Sequence, residues 1–205
     1  MNKLVVSGLS KHFGSRKVFS ALDFELSSGE SMAVTGPNGS GKSTLLMTLL
    51  ALYRPTRGSV AYLEDDRPLD DDDIRTRVSF VSPYLNLYDH LSAEENLKFF
   101  ATVAGGNVPG KDIDRLLARV GLEGRGCDLV AGYSSGMKQR LKYAVALLKK
   151  PAYLFLDEPT SNLDEAGKRL VTGIIEECRS ESVIVIATNE QEEYTLAAKQ
   201  CRLGQ

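Results

Sequence analysis

The sequence predicts an α/β fold: a central, mostly parallel sheet covered by helices and preceded by an antiparallel β region. From residue 31 onward, short apolar runs such as SMAVTG, YLFL and SVIVIAT alternate with segments of helical periodicity, as in parallel sheets. Before them, KLVVSGL and ALDFEL read as two strands. A length of 205 residues with 42% hydrophobic content suits one core, so we expect a single domain over residues 1–205.

Composition argues against several classes of protein. The formal net charge is −2, so no basic surface indicates nucleic acid as a partner. The apolar runs fall well short of the roughly 20 residues that span a bilayer, and no signal pattern is visible at the N-terminus. Cys127, Cys178 and Cys201 are odd in number and lack C-x-x-C spacing, which argues against a disulfide framework or a zinc site. We therefore expect a soluble protein of a reducing compartment.

The loop GPNGSGKST joins the strand SMAVTG to the helix that follows and matches G-x-x-x-x-G-K-[ST]. Its glycines allow several backbone N–H groups to face one anion, and the helix adds its positive N-terminal end. We expect Lys42 to contact the β- and γ-phosphates of a nucleotide and the Ser43 hydroxyl to bind Mg²⁺. The pattern predicts a P-loop NTPase core whose phosphate-binding residues are Gly36, Pro37, Asn38, Gly39, Ser40, Gly41, Lys42, Ser43 and Thr44.

The remaining elements follow in order. A helix is predicted from Lys42 to about Tyr53, and a strand at VAYL. The acidic stretch EDDRPLDDDD lacks the ligand spacing of a calcium-binding loop, so we interpret it as a solvated hairpin tip. After the strand RVSFVS, helical spacing over residues 92–104 and 108–122, with a capping box formed by Ser92 and Glu95, predicts a helical subdomain at about residues 84–150. A helix from about Glu165 to Cys178, the strand SVIVIAT, a final helix and a short strand complete the chain.

Two carboxylates end the apolar strand YLFL. An acid at the carboxyl end of a buried parallel strand emerges where ligands bind in such sheets, beside the phosphate loop. We expect Asp157 to hold Mg²⁺, directly or through water, and Glu158 to orient or deprotonate an attacking water. The pair predicts hydrolysis as well as binding.

GPNGSGKST, YSSGMKQRL and YLFLDEPTSNLD, in this order, resemble the ATP-binding cassette ATPases of ABC transporters over nearly the whole chain. YSSGMKQ is similar to the family's signature motif, normally L-S-G-G-Q, and SNLD is similar to its D-loop. The resemblance implies that Phe13 stacks on adenine. It also implies that nucleotide is bound by Ser134, Ser135, Gly136 and Asp164.

The family's properties imply a Mg²⁺-dependent ATPase that dimerises head to tail, with each ATP between the phosphate loop of one subunit and the signature motif of the other. They also imply a separate transmembrane permease and a position on the cytoplasmic face of the inner membrane. The short chain is similar to the small ATPases of export systems, including the heme-exporter type of cytochrome c maturation. The transported substrate cannot be read from this chain.

Two positions depart from the family pattern. Ser82 or Pro83 stands where a glutamine is usual, and Asn189 stands where a histidine is usual. Asn189 still donates a hydrogen bond but carries no charge, whereas Asn86 is a possible substitute for the missing glutamine. Two functions therefore stay open: an active transport ATPase, which Lys42, Asp157 and Glu158 favour, and an ATP-gated regulatory module with slow or absent hydrolysis. A small P-loop kinase does not account for the later motifs.

Overall fold

Two β-sheets and seven α-helices form the part of the chain, residues 1–204, that the computed structural model describes. The first sheet is antiparallel, has the order β2-β1-β4-β5 and contains β1 (Asn2–Phe13), β2 (Arg16–Ser27), β4 (Arg57–Glu64) and β5 (Arg67–Pro68). The second sheet has the order β6-β7-β8-β3-β9, with every pairing parallel, and contains β3 (Ser31–Thr35), β6 (Val78–Val81), β7 (Tyr153–Asp157), β8 (Val183–Ala187) and β9 (Lys199–Arg202). The predicted fold class is confirmed.

Helices cover the parallel sheet. They are α1 (Lys42–Leu49), α2 (Asp71–Arg77), α3 (Ala93–Val103), α4 (Gly110–Arg119), α5 (Ser135–Leu147), α6 (Glu165–Arg179) and α7 (Gln191–Tyr194), with a 3-10 turn at Val130–Gly132. Strands β3, β7 and β8 are buried at every position because both faces of the sheet are packed. None of the helices within residues 1–204 has the length and apolar composition needed to cross a membrane.

The two faces of the parallel sheet belong to two separate cores. Tyr153 and Phe155 of β7 pack toward α1 and the antiparallel sheet, whereas Leu154 and Leu156 pack toward α3, α4, α5 and α6. This division follows from the alternation of side chains along a strand. The sheet therefore holds α1 on one side and α5 on the other, with the ends of β3, β7 and β8 between them.

The segment between β6 and β7 is helical, as predicted. Helices α3 and α4 form at the two predicted positions, and an isolated bridge joins Ser92 to Leu129. The capping box is confirmed: the Glu95 carboxylate accepts from the Ser92 N–H at 2.7 Å, and the Ser92 hydroxyl accepts from the Glu95 N–H at 3.2 Å. The subdomain limits at about 84 and 150 stay a prediction.

The acidic stretch differs from the prediction in its second half. Its first half is a hairpin tip, with Asp65 and Asp66 at φ +50° and +62°, but Asp70 then caps a helix by accepting from the Asp73 N–H at 2.8 Å. Acidic residues stabilise the first turn of a helix through its macrodipole. Because α2 has almost no apolar periodicity, it gave no helical signal. Helix α1 is also shorter than predicted, since Ala51 has φ +57°.

Candidate nucleotide-binding site

The phosphate loop lies between the end of β3 and the start of α1, and its backbone requires glycine at two positions. Gly36 has φ +143°, and a Cβ there would lie 2.5 Å from the Leu203 carbonyl oxygen. Gly41 has φ +101°, and a Cβ there would lie 2.3 Å from Cγ1 of Val18. These conformations and approaches exclude side chains. The loop is therefore packed closely against Leu203 and Val18, and its contact with phosphate stays a prediction.

Lys42 is the cation of this loop. Its side chain is buried, and its amine donates to the carbonyl oxygens of Gly36 at 2.9 Å and Pro37 at 3.3 Å. Burial lowers the pKa of Lys42, while the carboxylates of Glu158 and Asp157 act in the opposite direction. The amine and both acids therefore interact electrostatically at one place, although they are more than a hundred residues apart in sequence.

Asp157 ends β7 and is 3% exposed. Burial raises the pKa of this carboxyl, a hydrogen bond from Ser43 lowers it, and the charges of Glu158 and Lys42 add smaller effects in opposite directions. Its Oδ2 atom is buried without a hydrogen-bond partner within the described residues. A hydroxyl and a carboxylate with a free buried oxygen are ligands that suit Mg²⁺, so Ser43 and Asp157 fit the predicted metal site.

Glu158 turns away from β7 into solvent. Its N–H donates to the Ala187 carbonyl oxygen at 2.8 Å, and its φ is +48°, a conformation uncommon for a residue other than glycine. This turn takes Glu158 out of the strand, so that it borders the same cavity as Lys42 and Ser43. The role of Glu158 toward an attacking water stays a prediction.

Asn189 follows β8 and reaches the phosphate loop. Its amide nitrogen donates to the side-chain oxygen of Asn38. The preceding residue is held in place because the Thr188 N–H donates to the Val34 carbonyl oxygen at 3.1 Å. The structure thus brings Asn189 to the edge of the sheet at which the loop begins.

A cavity of about 700 Å³ lies beside the loop, within the size range of small-molecule sites. Phe13 borders it, is 48% exposed and packs edge-on against Tyr53 at 5.8 Å between ring centroids. Three residues that sequence reasoning did not assign to this site, Arg16, Val18 and Tyr84, also border it. The full lining is Phe13, Arg16, Val18, Asn38, Gly39, Gly41, Lys42, Ser43, Thr44, Tyr84 and Glu158. The sequence offered a signal only for Arg16 and Tyr84, as a basic and an aromatic side chain close to a strand end, and none for Val18.

The signature-like residues lie elsewhere in the same chain. None of Ser134, Ser135 and Gly136 is among the residues that border the phosphate-loop cavity. Ser134 caps α5 by accepting from the Met137 N–H at 3.2 Å, and Asp164 caps α6 by accepting from the Gly167 N–H at 2.8 Å. Both residues therefore stabilise helix starts in the isolated chain, and their contact with nucleotide stays a prediction.

The segment after β6 joins these two regions. Ser82 is fully buried, its hydroxyl accepts from the Tyr84 N–H at 3.0 Å, and the carbonyl oxygens of Ser82 and Pro83 accept from Lys142 of α5 at 3.0 and 2.8 Å. Asn86 borders a different cavity, next to Ser135 and Lys142. Within the described chain, the structure therefore does not bring Asn86 to the phosphate loop as a replacement for glutamine.

Comparisons with known proteins identify the family of this chain. A family model described as ABC transporter matches residues 19–161. The lantibiotic transport ATP-binding protein SrtF of Streptococcus pyogenes is 34% identical over 186 residues, which cover 91% of this chain and 79% of SrtF. A fluoroquinolones export ATP-binding protein of Mycobacterium tuberculosis is 38% identical over 170 residues, which cover 82% of this chain and 55% of that protein. The chain thus spans between about half and four fifths of the length of the relatives it matches.

Solved structures show the same fold. A dimeric ATP-binding cassette in a post-hydrolysis state, bound to ADP and Pi, superposes with a TM-score of 0.84 at 25% identity, over 98% of this chain and 94% of that chain. An ABC transporter ATP-binding protein from Pyrococcus furiosus, described as putative, gives a TM-score of 0.83 at 24% identity, over 98% and 97% of the two chains. From its motifs, its fold and these matches, the chain belongs to the ABC transporter family as an ATP-binding protein.

Proposed function

We propose that this chain is the ATP-hydrolysing subunit of an ABC transporter or exporter, driven by ATP-dependent dimerisation. The observation that carries the proposal is the convergence of Lys42, Ser43 and Glu158 at one cavity, with the buried Asp157 carboxyl interacting with all three. A protein that binds nucleotide without hydrolysing it needs only the phosphate loop and Lys42. The two carboxylates at the end of β7 serve the metal and the water of a hydrolytic reaction.

Each residue has a role that follows from its position. The N–H groups at the start of α1 and the Lys42 amine bind the β- and γ-phosphates of ATP. Glu158 accepts a proton from, or orients, the water that attacks the γ-phosphate. Asn189, held by Asn38, donates a hydrogen bond toward the γ-phosphate. Mg²⁺, when bound by Ser43 and Asp157, neutralises charge that develops on the phosphate oxygens.

The dimer completes the site. Ser134, Ser135 and Gly136 lie outside the cavity of their own loop, at the N-terminus of α5. A second subunit in head-to-tail orientation supplies this helix start to the exposed side of the γ-phosphate, as an oxyanion-type contact. ATP then joins the two subunits, and hydrolysis removes contacts that exist only in the closed dimer.

A transmembrane permease is the second proposed partner. The support comes from the relatives, whose names describe lantibiotic transport and fluoroquinolone export. The subunit acts on the cytoplasmic face of the membrane, where the permease receives the movement of the dimer. The transported substrate contacts the permease, so the specificity of transport lies in that chain.

The experiment compares wild type with Glu158→Gln. The amide keeps the shape of the carboxylate but removes the base, and a general base contributes roughly 10²–10⁴ in rate. We expect Mg²⁺-dependent ATP turnover in wild type, a loss of at least about a hundredfold in the variant, and a dimer of the variant on size exclusion with ATP but not with ADP. Wild-type turnover equal to that of the variant would instead identify a nucleotide-gated module without hydrolysis.

A further inference from the structure

Helix α5 makes polar contacts with two loops that flank the candidate site. On one side, Lys142 donates to the carbonyl oxygens of Ser82 and Pro83 at 3.0 and 2.8 Å. On the adjacent side, Gln139 and Tyr143 both donate to the carbonyl oxygen of Pro159, at 3.3 and 3.0 Å. The helix that begins at the signature motif is thus bonded both to the segment after β6 and to the segment after Glu158.

Lys142 is unusual because it is a cation inside the packed face of α5. Its side chain is 8% exposed, within a helix whose neighbouring buried residues Leu141 and Tyr143 belong to the core. Burial lowers the pKa of Lys142. A buried ammonium group needs hydrogen-bond acceptors, and here the acceptors are two consecutive backbone carbonyls of one loop. The contact therefore fixes the backbone of that loop rather than another side chain.

The loop leads directly into the nucleotide cavity. The Tyr84 N–H donates to the Ser82 hydroxyl at 3.0 Å, and the Leu85 N–H donates to the Ser82 carbonyl oxygen at 3.2 Å. Tyr84 itself borders the same cavity as Lys42 and Ser43. The Ser82 carbonyl oxygen thus accepts two hydrogen bonds, one from the Lys142 amine and one from the Leu85 N–H. The second of these closes the turn that contains Tyr84. Hydrogen bonds thus connect α5 through Ser82 to the backbone of Tyr84 and Leu85 at this cavity wall.

We infer that Lys142 is a positioning residue for ATP hydrolysis, which couples α5 and its signature-like start to the cavity wall at Tyr84. Neither Ser82 nor Pro83, the two residues at the usual glutamine position, has the side-chain amide of glutamine, and Lys142 holds the backbone of this segment instead. The inference rests on the proposed ATPase function. It concerns the geometry of the site and not the affinity of the phosphate loop, with which Lys142 makes no recorded hydrogen bond.

Lys149 provides a matched control. It lies just after α5 and is half-buried, its amine donates to the Arg75 carbonyl oxygen at 2.9 Å, and burial lowers its pKa as well. Lys142→Met and Lys149→Met therefore remove the same kind of interaction, a lysine donating to backbone carbonyl oxygen. Only the first change releases the segment at Ser82 and Pro83. Lys142→Arg keeps the charge and the donors.

The test measures amide hydrogen exchange and steady-state ATP turnover in the three variants. We expect the amides of Tyr84 and Leu85 to exchange about tenfold faster or more in Lys142→Met than in wild type, since hydrogen bonds to a charged group are among the stronger ones. We also expect kcat to fall about tenfold with the KM for ATP unchanged, Lys142→Arg to recover part of both effects, and Lys149→Met to match wild type in both.

Three other results would contradict either the role of Lys142 or the proposed ATPase function. If Lys142→Met matches Lys149→Met in local exchange and in kcat, the coupling does not exist. If Lys142→Met and Lys142→Arg both lose protection over the whole core, Lys142 only stabilises the fold and the inference is wrong. If wild type has no ATP turnover, the proposed function fails, while the exchange comparison still decides whether Lys142 holds the segment.

Discussion

Replacing Gly41 by alanine tests whether the phosphate loop needs a residue without a side chain at this position. The new Cβ meets two separate obstacles. Gly41 has φ +101°, and the added atom would lie 2.3 Å from Cγ1 of Val18 on β2. Valine is stiff at χ1 because it is branched at Cβ, so it cannot turn aside without moving its strand. We therefore expect Gly41→Ala to destabilise the protein and to distort the start of α1.

The two obstacles have different magnitudes. A Cβ in a left-handed backbone conformation costs about 1–2 kcal/mol, and overpacking of a filled site costs about 1–3 kcal/mol. Together they give a loss of about 2–5 kcal/mol in the free energy of unfolding. For a domain of about 150–250 residues, each kcal/mol lowers Tm by about 2–4 °C. The expected decrease in Tm for Gly41→Ala is therefore about 4–20 °C.

The chain contains a control for each contribution. Gly39 has φ +80°, but a Cβ there meets no atom within 4 Å, so Gly39→Ala reports the backbone cost alone. Val18→Ala combined with Gly41→Ala removes the steric contact and leaves the backbone cost, which forms a double-mutant cycle. The four variants are Gly39→Ala, Gly41→Ala, Val18→Ala and the double variant. Thermal unfolding of these variants and of wild type gives the stabilities, and titration with a fluorescent ATP analogue gives the affinities.

The expected order of stability follows from these contributions. Gly41→Ala should be less stable than Gly39→Ala, and the interaction energy between positions 18 and 41 should be favourable, because the smaller side chain relieves the clash. ATP affinity should fall more in Gly41→Ala than in Gly39→Ala. A Tm for Gly41→Ala equal to that of wild type, or no interaction energy with Val18→Ala, would refute the described packing of the loop.

Three further predictions concern the candidate site. Lys42→Ala should lower ATP affinity at least about tenfold, because it removes the charged donor of the loop, and an unchanged dissociation constant by equilibrium titration would refute the site. Asn189→His should raise kcat if asparagine only weakens this position, since an imidazole carries a proton toward the γ-phosphate. Paired with Pro83→Gln the gain should be non-additive, and purely additive rates would show that the two positions act separately. Asp164→Ala should cost about 1 kcal/mol, or about 2–4 °C in Tm, since Asp164 caps α6. Asp164→Asn should keep that stability, and an equal loss in both variants on thermal unfolding would contradict the cap.

The sequence by itself determined the local parts of the molecule. The loop at residues 36–44, the strands that enter and leave the site and the capping box at Ser92 were all predicted correctly. Each rests on a short-range cause: glycine conformation, apolar runs or a hydrogen bond three residues along a helix. Helix α2 was missed because a single apolar residue, Ile74, gives no periodicity. The two acids at the end of β7, Asp157 and Glu158, were predicted to lie near the loop because the carboxyl ends of parallel strands meet at one edge.

Only the tertiary structure decided which distant residues meet. The strand order β6-β7-β8-β3-β9 places β8 and β9 on either side of β3, and this order brings Asn189 to Asn38 and Leu203 to Gly36. The packing of the antiparallel sheet above α1 brings Val18 to Gly41, and α5 brings Lys142 to the loop before Tyr84. Hydrophobic periodicity shows which face of an element is buried but carries no information about which other element covers that face. Contacts between residues that lie from 23 positions (Val18 and Gly41) to 167 positions (Gly36 and Leu203) apart are selected by the packing of the whole core. For this reason they were visible only in the folded chain.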